Sequence, residues 1–147
     1  MMNPQMRTQF ATTKEFTAAG TVRVGMQIKL AATDSVSTNP EFPDAIECAD
    51  NTVQGIGIVK GNAGDSYSSG ETFTAWLLSS TILHVKVGTG GATRGSCASQ
   101  AAAADGLTNL PAFGTGSVVH SPGVFFNTGV AGDHVAMMSL PAMTSKA

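Results

Sequence analysis

The chain has 147 residues, of which 12% are charged, with a formal net charge of -2 at neutral pH and a pI near 5.8. That length suits one domain able to bury most of what its unfolded chain exposes. The weak acidic balance excludes a nucleic-acid binder, which needs a basic stripe to neutralise phosphates, and no apolar run approaches the roughly 20 residues of a membrane-spanning helix.

Residues 1–19, MMNPQMRTQFATTKEFTAA, carry Pro4 and two separated aromatics, Phe10 and Phe16, with neither helical nor strand periodicity over their length. They read as an extended arm. Two rings at wide spacing can pin such an arm to a surface, and a short first strand beginning near Phe10 fits the same residues. The next stretch, residues 22–30 (VRVGMQIKL), alternates apolar and polar side chains and predicts one strand. Residues 31–51 then hold Asp34, Glu41, Asp44, Glu47 and Asp50 with no Lys or Arg, and Pro40 and Pro43 exclude helix and central strand there. Arg7, Lys14, Arg23 and Lys29 precede this acidic loop against the single Glu15. A basic N-terminal portion can therefore meet an acidic loop, within one subunit or on the next. The candidate partner-binding residues are accordingly Arg7, Phe10, Lys14 and Phe16 from the arm, with Glu41, Phe42 and Asp44 from the loop.

The stretch 53–78 (VQGIGIVKGNAGDSYSSGETFTAWLL) reads as a buried strand, a turn-rich reversal that opens on Gly70-Glu71, and a second strand in which Phe73, Ala75 and Leu77 alternate with polar positions and Trp76. Residues 119–140 repeat the scheme through Gly123-Val124-Phe125, Gly132-Asp133, Val135, Met137 and Leu140. The strand at 22–30 stands about as far before the first copy as residues 84–87 and 94–98 stand before the second. The sequence thus predicts a mainly β, internally duplicated, small antiparallel barrel or sandwich: an arm over 1–19, then one domain over 20–147 built from pseudo-repeats at about 20–80 and 81–140 that share a core.

Between the copies, residues 81–87 predict a further strand, and residues 99–105 (SQAAAAD), closed by Gly106, are the one place for a short helix. The segment Gly88 to Gly95 has phosphate-loop spacing from Gly90 to Gly95, but Ser96 stands where a Lys must reach the phosphates, so it predicts a turn. His84, His120 and His134 make a catalytic triad numerically conceivable. No Gly-x-Ser-x-Gly elbow accompanies them, and Asp133 and His134, adjacent in a strand, point to opposite faces. Neither the histidines nor Cys48 and Cys97 show zinc-ligand spacing. The reading is therefore of a non-enzyme with no cofactor and no metal site. Residues 1–20 lack an apolar leader core, which predicts free thiols in a reducing cytoplasm, although a Cys48–Cys97 pair linking the halves stays open.

The motifs Ala19-Gly20, Val24-Gly25, Ile28 and Leu30, then Gly55-Ile56-Gly57-Ile58, Gly70-Glu71 and Phe73, and again Gly123-Val124, Ala131-Gly132-Asp133 and Val135, resemble the small capsid cement, or head decoration, proteins of tailed bacteriophages. The resemblance covers most of residues 18–140 and departs from the family look in long insertions at 34–48 and 101–117. It implies a virion protein without catalysis, placed on the outside of an icosahedral shell and clamping adjacent major capsid proteins. It further implies a homo-oligomer, with a trimer favoured, and no contact with nucleic acid or membrane. A β-module of another viral assembly, such as a tail or receptor-binding component, and a small hydrolase using His134 are the alternatives.

Overall fold

The structure is a computed structural model that describes residues 12–79 and 81–145. The described chain is all-β: β1 (Thr13–Ala18), β2 (Val22–Arg23), β3 (Gln27–Leu30), β4 (Asp44–Glu47), β5 (Gly57–Val59), β6 (Ser66–Tyr67), β7 (Thr72–Leu77), β8 (Ile82–Lys86), β9 (Ala98–Gln100), β10 (Leu107–Asn109), β11 (Val118–Phe125) and β12 (His134–Ser145). In the first half the pairing order β1-β4-β3-β5-β7 closes on itself.

The second half repeats that order pair by pair. Ala18 pairs in parallel with Ala45, and Val87 bridges in parallel to Leu107. Leu30 faces Ala45 as Gln100 faces Leu107. Gln27 faces Ile58 as Cys97 faces Val124. Val59 faces Ala75 as Phe125 faces Met137, and Phe16 faces Phe73 as Val85 faces Val135. The turns agree as well. The Gly25 amide donates to the Val59 carbonyl (2.9 Å) and the Gly95 amide to that of Phe125 (2.8 Å), while Gly70 and Gly132 donate to Ala18 and Val87, both at 2.8 Å. Gly70 and Gly132 adopt φ of 91° and 96°, a region closed to most side chains, so the Gly-acid signature marks the same turn twice.

Each unit fills its own core, where the sequence predicted a shared one. The first gathers Phe16, Ala18, Val22, Ile28, Ala45, Val59, Phe73 and Ala75. At the matching positions the second gathers Val85, Val87, Ala92, Ala98, Leu107, Phe125, Val135 and Met137. Volume has been exchanged between these sites. Phe16 stacks on Phe73 with ring centroids 5.9 Å apart, and their counterparts are only Val85 and Val135. Ala45, Val59 and Ala75 are in turn replaced by the larger Leu107, Phe125 and Met137. Close-packed interiors tolerate such rearrangement while the total volume is kept.

Five expectations change accordingly. Asp44–Glu47, in the stretch where the prolines were expected to exclude a central strand, is β4, paired with β1 on one side and β3 on the other, because both prolines precede it and leave its amides free to pair. Thr13–Ala18 is no arm: β1 pairs with β7 from Thr13↔Trp76 to Thr17↔Thr72, because Phe16 and Ala18 are needed in the core. The first unit therefore begins at β1, not near residue 20, and β8 is the counterpart that opens the second. The single strand at residues 22–30 is two, split where Gly25 takes φ of 85° and the Met26 amide turns back to Arg23 (3.2 Å). The helix at residues 99–105 is absent, since Ala98–Gln100 pairs with Leu107–Asn109 as a hairpin and that ladder holds Ser99 and Gln100 extended. Finally, the sheets are not purely antiparallel, each unit containing the one parallel contact given above.

The units meet head to tail. Ile58, fully buried on the outer side of β5, belongs to the second core, and Trp76 and Leu78 pack on the same cluster. The Lys86 amide donates to the Gly25 carbonyl (2.9 Å), and Arg23 Nη2 reaches both Glu47 Oε2 (2.7 Å) and the Ala104 carbonyl (2.8 Å).

Glycine 123 tests the packing of β11 on β12. A Cβ built there runs into the Met138 carbonyl oxygen, and one on its counterpart Gly57 lies 2.7 Å from that of Trp76, whereas a Cβ on Gly20 meets nothing within 4 Å. Gly123→Ala is expected to lower unfolding stability by about 1–3 kcal/mol or more, and Gly20→Ala to leave it within about 0.5 kcal/mol, as read from urea unfolding followed by tryptophan fluorescence.

Candidate interaction surface

Period-two alternation assigns the outer face of the three-stranded sheet β11-β12-β8. Val85 and Leu83 point inward and Ile82, His84 and Lys86 outward; on β12, Val135, Met137 and Ser139 are buried while Ala136, Met138 and Leu140 face out. Register places Ile82 opposite Met138 and Met138 opposite Val124. An apolar row thus crosses all three strands, with Phe126 and Leu140 beside it. Ile82 is 50% exposed, Leu140 47% and Phe126 38%.

Beyond this face β12 outruns β8. Pairing with β8 ends at Met138, followed by one further bond from the Ser139 amide to Thr81 (2.7 Å). From Leu140 to Ser145 every residue is exposed, and β11 is the only described strand that pairs there, from Val118↔Ser145 to Ser121↔Ala142. Among the described residues the result is a two-stranded ribbon with one open edge and with Val118 and Met143 exposed. Unpaired strand edges are templates for adding a strand from another chain.

Five of the seven candidate binding residues fall within the described chain, and Arg7 and Phe10 lie outside it. Lys14, Glu41 and Phe42 come together: Lys14 Nζ donates to the Glu41 carbonyl oxygen and stands 5.8 Å from the centre of the Phe42 ring. Phe16 and Asp44 are not surface contacts. Phe16 is 3% exposed in the first core, and Asp44 is 1% exposed. The Asp44 carboxylate accepts the amides of Ser35 (3.0 Å), Val36 (2.8 Å) and Ser37 (2.8 Å), so it organises the acidic loop from within. The basic-to-acidic meeting occurs inside the subunit, where Arg23 and Glu47 pair.

The remaining chemistry-bearing residues are dispersed. His120 Nδ1 lies 2.8 Å from Gln54 Oε1, and the ladder sets His120 opposite Met143, at the far end of β12 from His134. The Gly88–Gly95 turn is occupied from inside, since the Asp105 carboxylate accepts both the Thr89 amide (3.0 Å) and its hydroxyl (2.6 Å). Those bonds hold the Asp105 carboxyl below its usual range. Cys48 and Cys97 are free thiols, the first buried and the second exposed, and burial raises the Cys48 pKa. Among the described residues no three His, Cys, Asp or Glu side chains are placed to share a metal ion, and no helix is long and apolar enough to cross a membrane. No known family model matches the chain, and no curated protein is significantly similar to it.

What the sequence missed was the outer face and the ribbon. Its signal was present in Ile82, Met138, Leu140 and Met143, four large apolar residues that the register turns outward, Met143 only because the ladder shifts between Ser139 and Ala142, and outward and inward are indistinguishable until the register is known.

Two measurements follow from these placements. Asp44→Ala strips three loop amides of their acceptor and is expected to cost about 1–3 kcal/mol, while Glu41→Ala, at an exposed site, changes stability by less than about 0.5 kcal/mol, both read by thermal or urea unfolding. His134 has its pKa lowered from 6.5, first by burial and then by the Lys86 and His84 charges. A depressed histidine pKa favours the neutral ring in the folded state, so its stabilising contribution is present above 6.5 and is lost as pH falls through that value toward the folded pKa. The ring should titrate below 6.5 by proton NMR, and His134→Gln should flatten the loss of stability on acidification.

Proposed function

We infer that the protein is a structural component of a bacteriophage virion that sits on the outside of the icosahedral shell and clamps adjacent major capsid proteins. The observation that carries this reading is the β11-β12 ribbon, which offers an open edge and the exposed side chains of Val118 and Met143 on a small all-β body. A strand added to that edge gains main-chain hydrogen bonds for its whole length, with side-chain pockets setting which strand fits. The resemblance of the duplicated Gly-acid units to cement proteins supports the same reading, as does the low charge, which leaves surface free for contact. A clip bound across a seam must be broken before the capsomers part, and its binding stabilises the assembled state by mass action. Many weak clips acting on linked subunits suffice, because each engages several neighbours at once.

The test is binding to shells that lack decoration. Wild type should load onto them and raise their temperature of rupture, while Met143→Glu, at a residue 68% exposed, should reduce occupancy at least tenfold without altering the fold. Removing residues 1–11 leaves β1 intact and isolates the contribution of Arg7 and Phe10, with reduced loading expected. Undiminished loading of Met143→Glu would discard the ribbon as the contact, and failure of wild type to bind any shell would discard the function.

A further inference from the structure

A cleft of about 390 Å³ opens between the turn after β8, the β9-β10 hairpin and the residues that follow it, with Asp50 and Asn51 of the first unit completing its lining. It is separate from the ribbon, since none of its lining residues belongs to β11 or β12. No Lys, Arg or His lines it, and Asp50 is its one charged side chain. Hydrogen bonds from the Thr52 hydroxyl and then the Thr52 amide hold that carboxylate below its usual range, with Lys29 adding the least from outside the lining. Such a cleft opposes phosphates and carboxylates and favours a cation.

The hydrogen bonds already made by the walls set what a ligand must bring. The Thr89 hydroxyl gives its proton to the Asp105 carboxylate (2.6 Å), and the Thr108 hydroxyl gives its own to the Gly91 carbonyl (2.9 Å). Asn109 spends both ends of its amide on Thr93, accepting the backbone N–H at 2.8 Å and donating to the hydroxyl at 2.9 Å. Gln100, 2% exposed, donates to the Gly106 carbonyl (3.1 Å), and its Oε1 has no partner among the described residues. Leaving an amide oxygen buried and unpaired costs about 1–3 kcal/mol, yet the first unit carries the apolar Leu30 at the matching ladder position. What the walls leave over is chiefly acceptors: the Asp50 carboxylate, two hydroxyl oxygens and the Gln100 amide oxygen. Leu110 and Pro111 add apolar surface.

The first unit shows which group sits at this corner of the fold. Glu47, the counterpart of Asn109, takes the guanidinium of Arg23 through bonds of 3.0 Å from Nε and 2.7 Å from Nη2. The Arg23 amide donates to Glu47 (2.7 Å) as the Thr93 amide donates to Asn109 (2.8 Å), so Thr93 stands where the first unit has that arginine. No arginine lines the cleft of the second unit, and its charge comes from Asp50 instead.

We propose that this cleft binds a guanidinium group on its alkyl stem, the N–H donors meeting Asp50 and the neutral acceptors, and the methylenes lying on Leu110 and Pro111. A guanidinium has five donors and no acceptor, which suits walls whose own protons are committed, and it is more weakly hydrated than an ammonium. The group arrives either on an arginine side chain of a partner protein or on a small free molecule, and the same residues recognise both.

Titration of the purified full-length protein, followed in proton–nitrogen correlation spectra, tests this with no shell present, so its outcome is independent of shell binding. The probes are a capped Gly-Arg-Gly peptide, the matching Gly-Lys-Gly peptide, and agmatine as the small guanidinium. The arginine peptide or agmatine should shift the amides of Asp50, Asn51, Gly90 and Thr108 saturably, and the lysine peptide should bind more weakly. Tighter binding of the arginine peptide assigns the site to a protein partner and tighter binding of agmatine to a free ligand; either supports the site. Asp50→Asn, at an exposed position, should weaken binding about tenfold through the loss of one charged hydrogen-bond partner. Gln100→Leu should weaken it as well, and Asp50→Asn decides alone if that variant fails to fold. The absence of saturable shifts at these amides with both guanidinium probes, equal binding of the lysine peptide, or undiminished binding by Asp50→Asn would each overturn the proposal.

Discussion

The structure depends on filling two very small cores, one inside a closed sheet and one between a hairpin and a three-stranded sheet, whose walls are strands of only a few residues. Each wall contributes one or two inward side chains, so the core of a unit is a short set of residues and every volume in it counts. The first unit meets that constraint with a stacked Phe16–Phe73 pair beside Val59 and Ala75. The second meets it with Val85 and Val135 beside Phe125 and Met137. The same registers thus hold two different packings, and the bulk has moved from the β1–β7 contact to the β11–β12 contact.

Such small cores also explain why the units are joined. A unit that buries so little by itself gains from covering its open edge with the outer face of a neighbour, as Ile58, Trp76 and Leu78 do for the second core. The ends of the molecule are treated unequally. At the first unit the acidic loop, organised around the buried Asp44 carboxylate, closes the β1 edge with Phe42 and Pro43. At the second unit no described segment packs over Ile82, Leu140 or the outer edge of the β11-β12 ribbon.

The doubled Gly-acid turns were legible in the sequence because they require a backbone conformation that few other residues accept, and the strands β7, β8 and β12 were legible from alternation. The start of the first unit was not. Thr13–Ala18 carries Lys14 and Glu15 beside Phe16, a pattern shared by an exposed arm and by a strand with one face inward. The stretch Ser99–Asp105 misled for a related reason: its alanines favour helix weakly, and the ladder from Ala98–Gln100 to Leu107–Asn109 outweighs that preference.

By itself the sequence determined an all-β, duplicated chain, low in charge, with a reversal at Gly70 and again at Gly132. These features are written locally, in side-chain period and in backbone positions open to glycine. Only the tertiary structure decided that there are two cores, that Phe16 and Asp44 turn inward, and that Ile82, Met138 and Leu140 turn outward. Each of those outcomes is set by which strands pair and in what register, a long-range choice in which a shift of one residue exchanges the buried face for the exposed one.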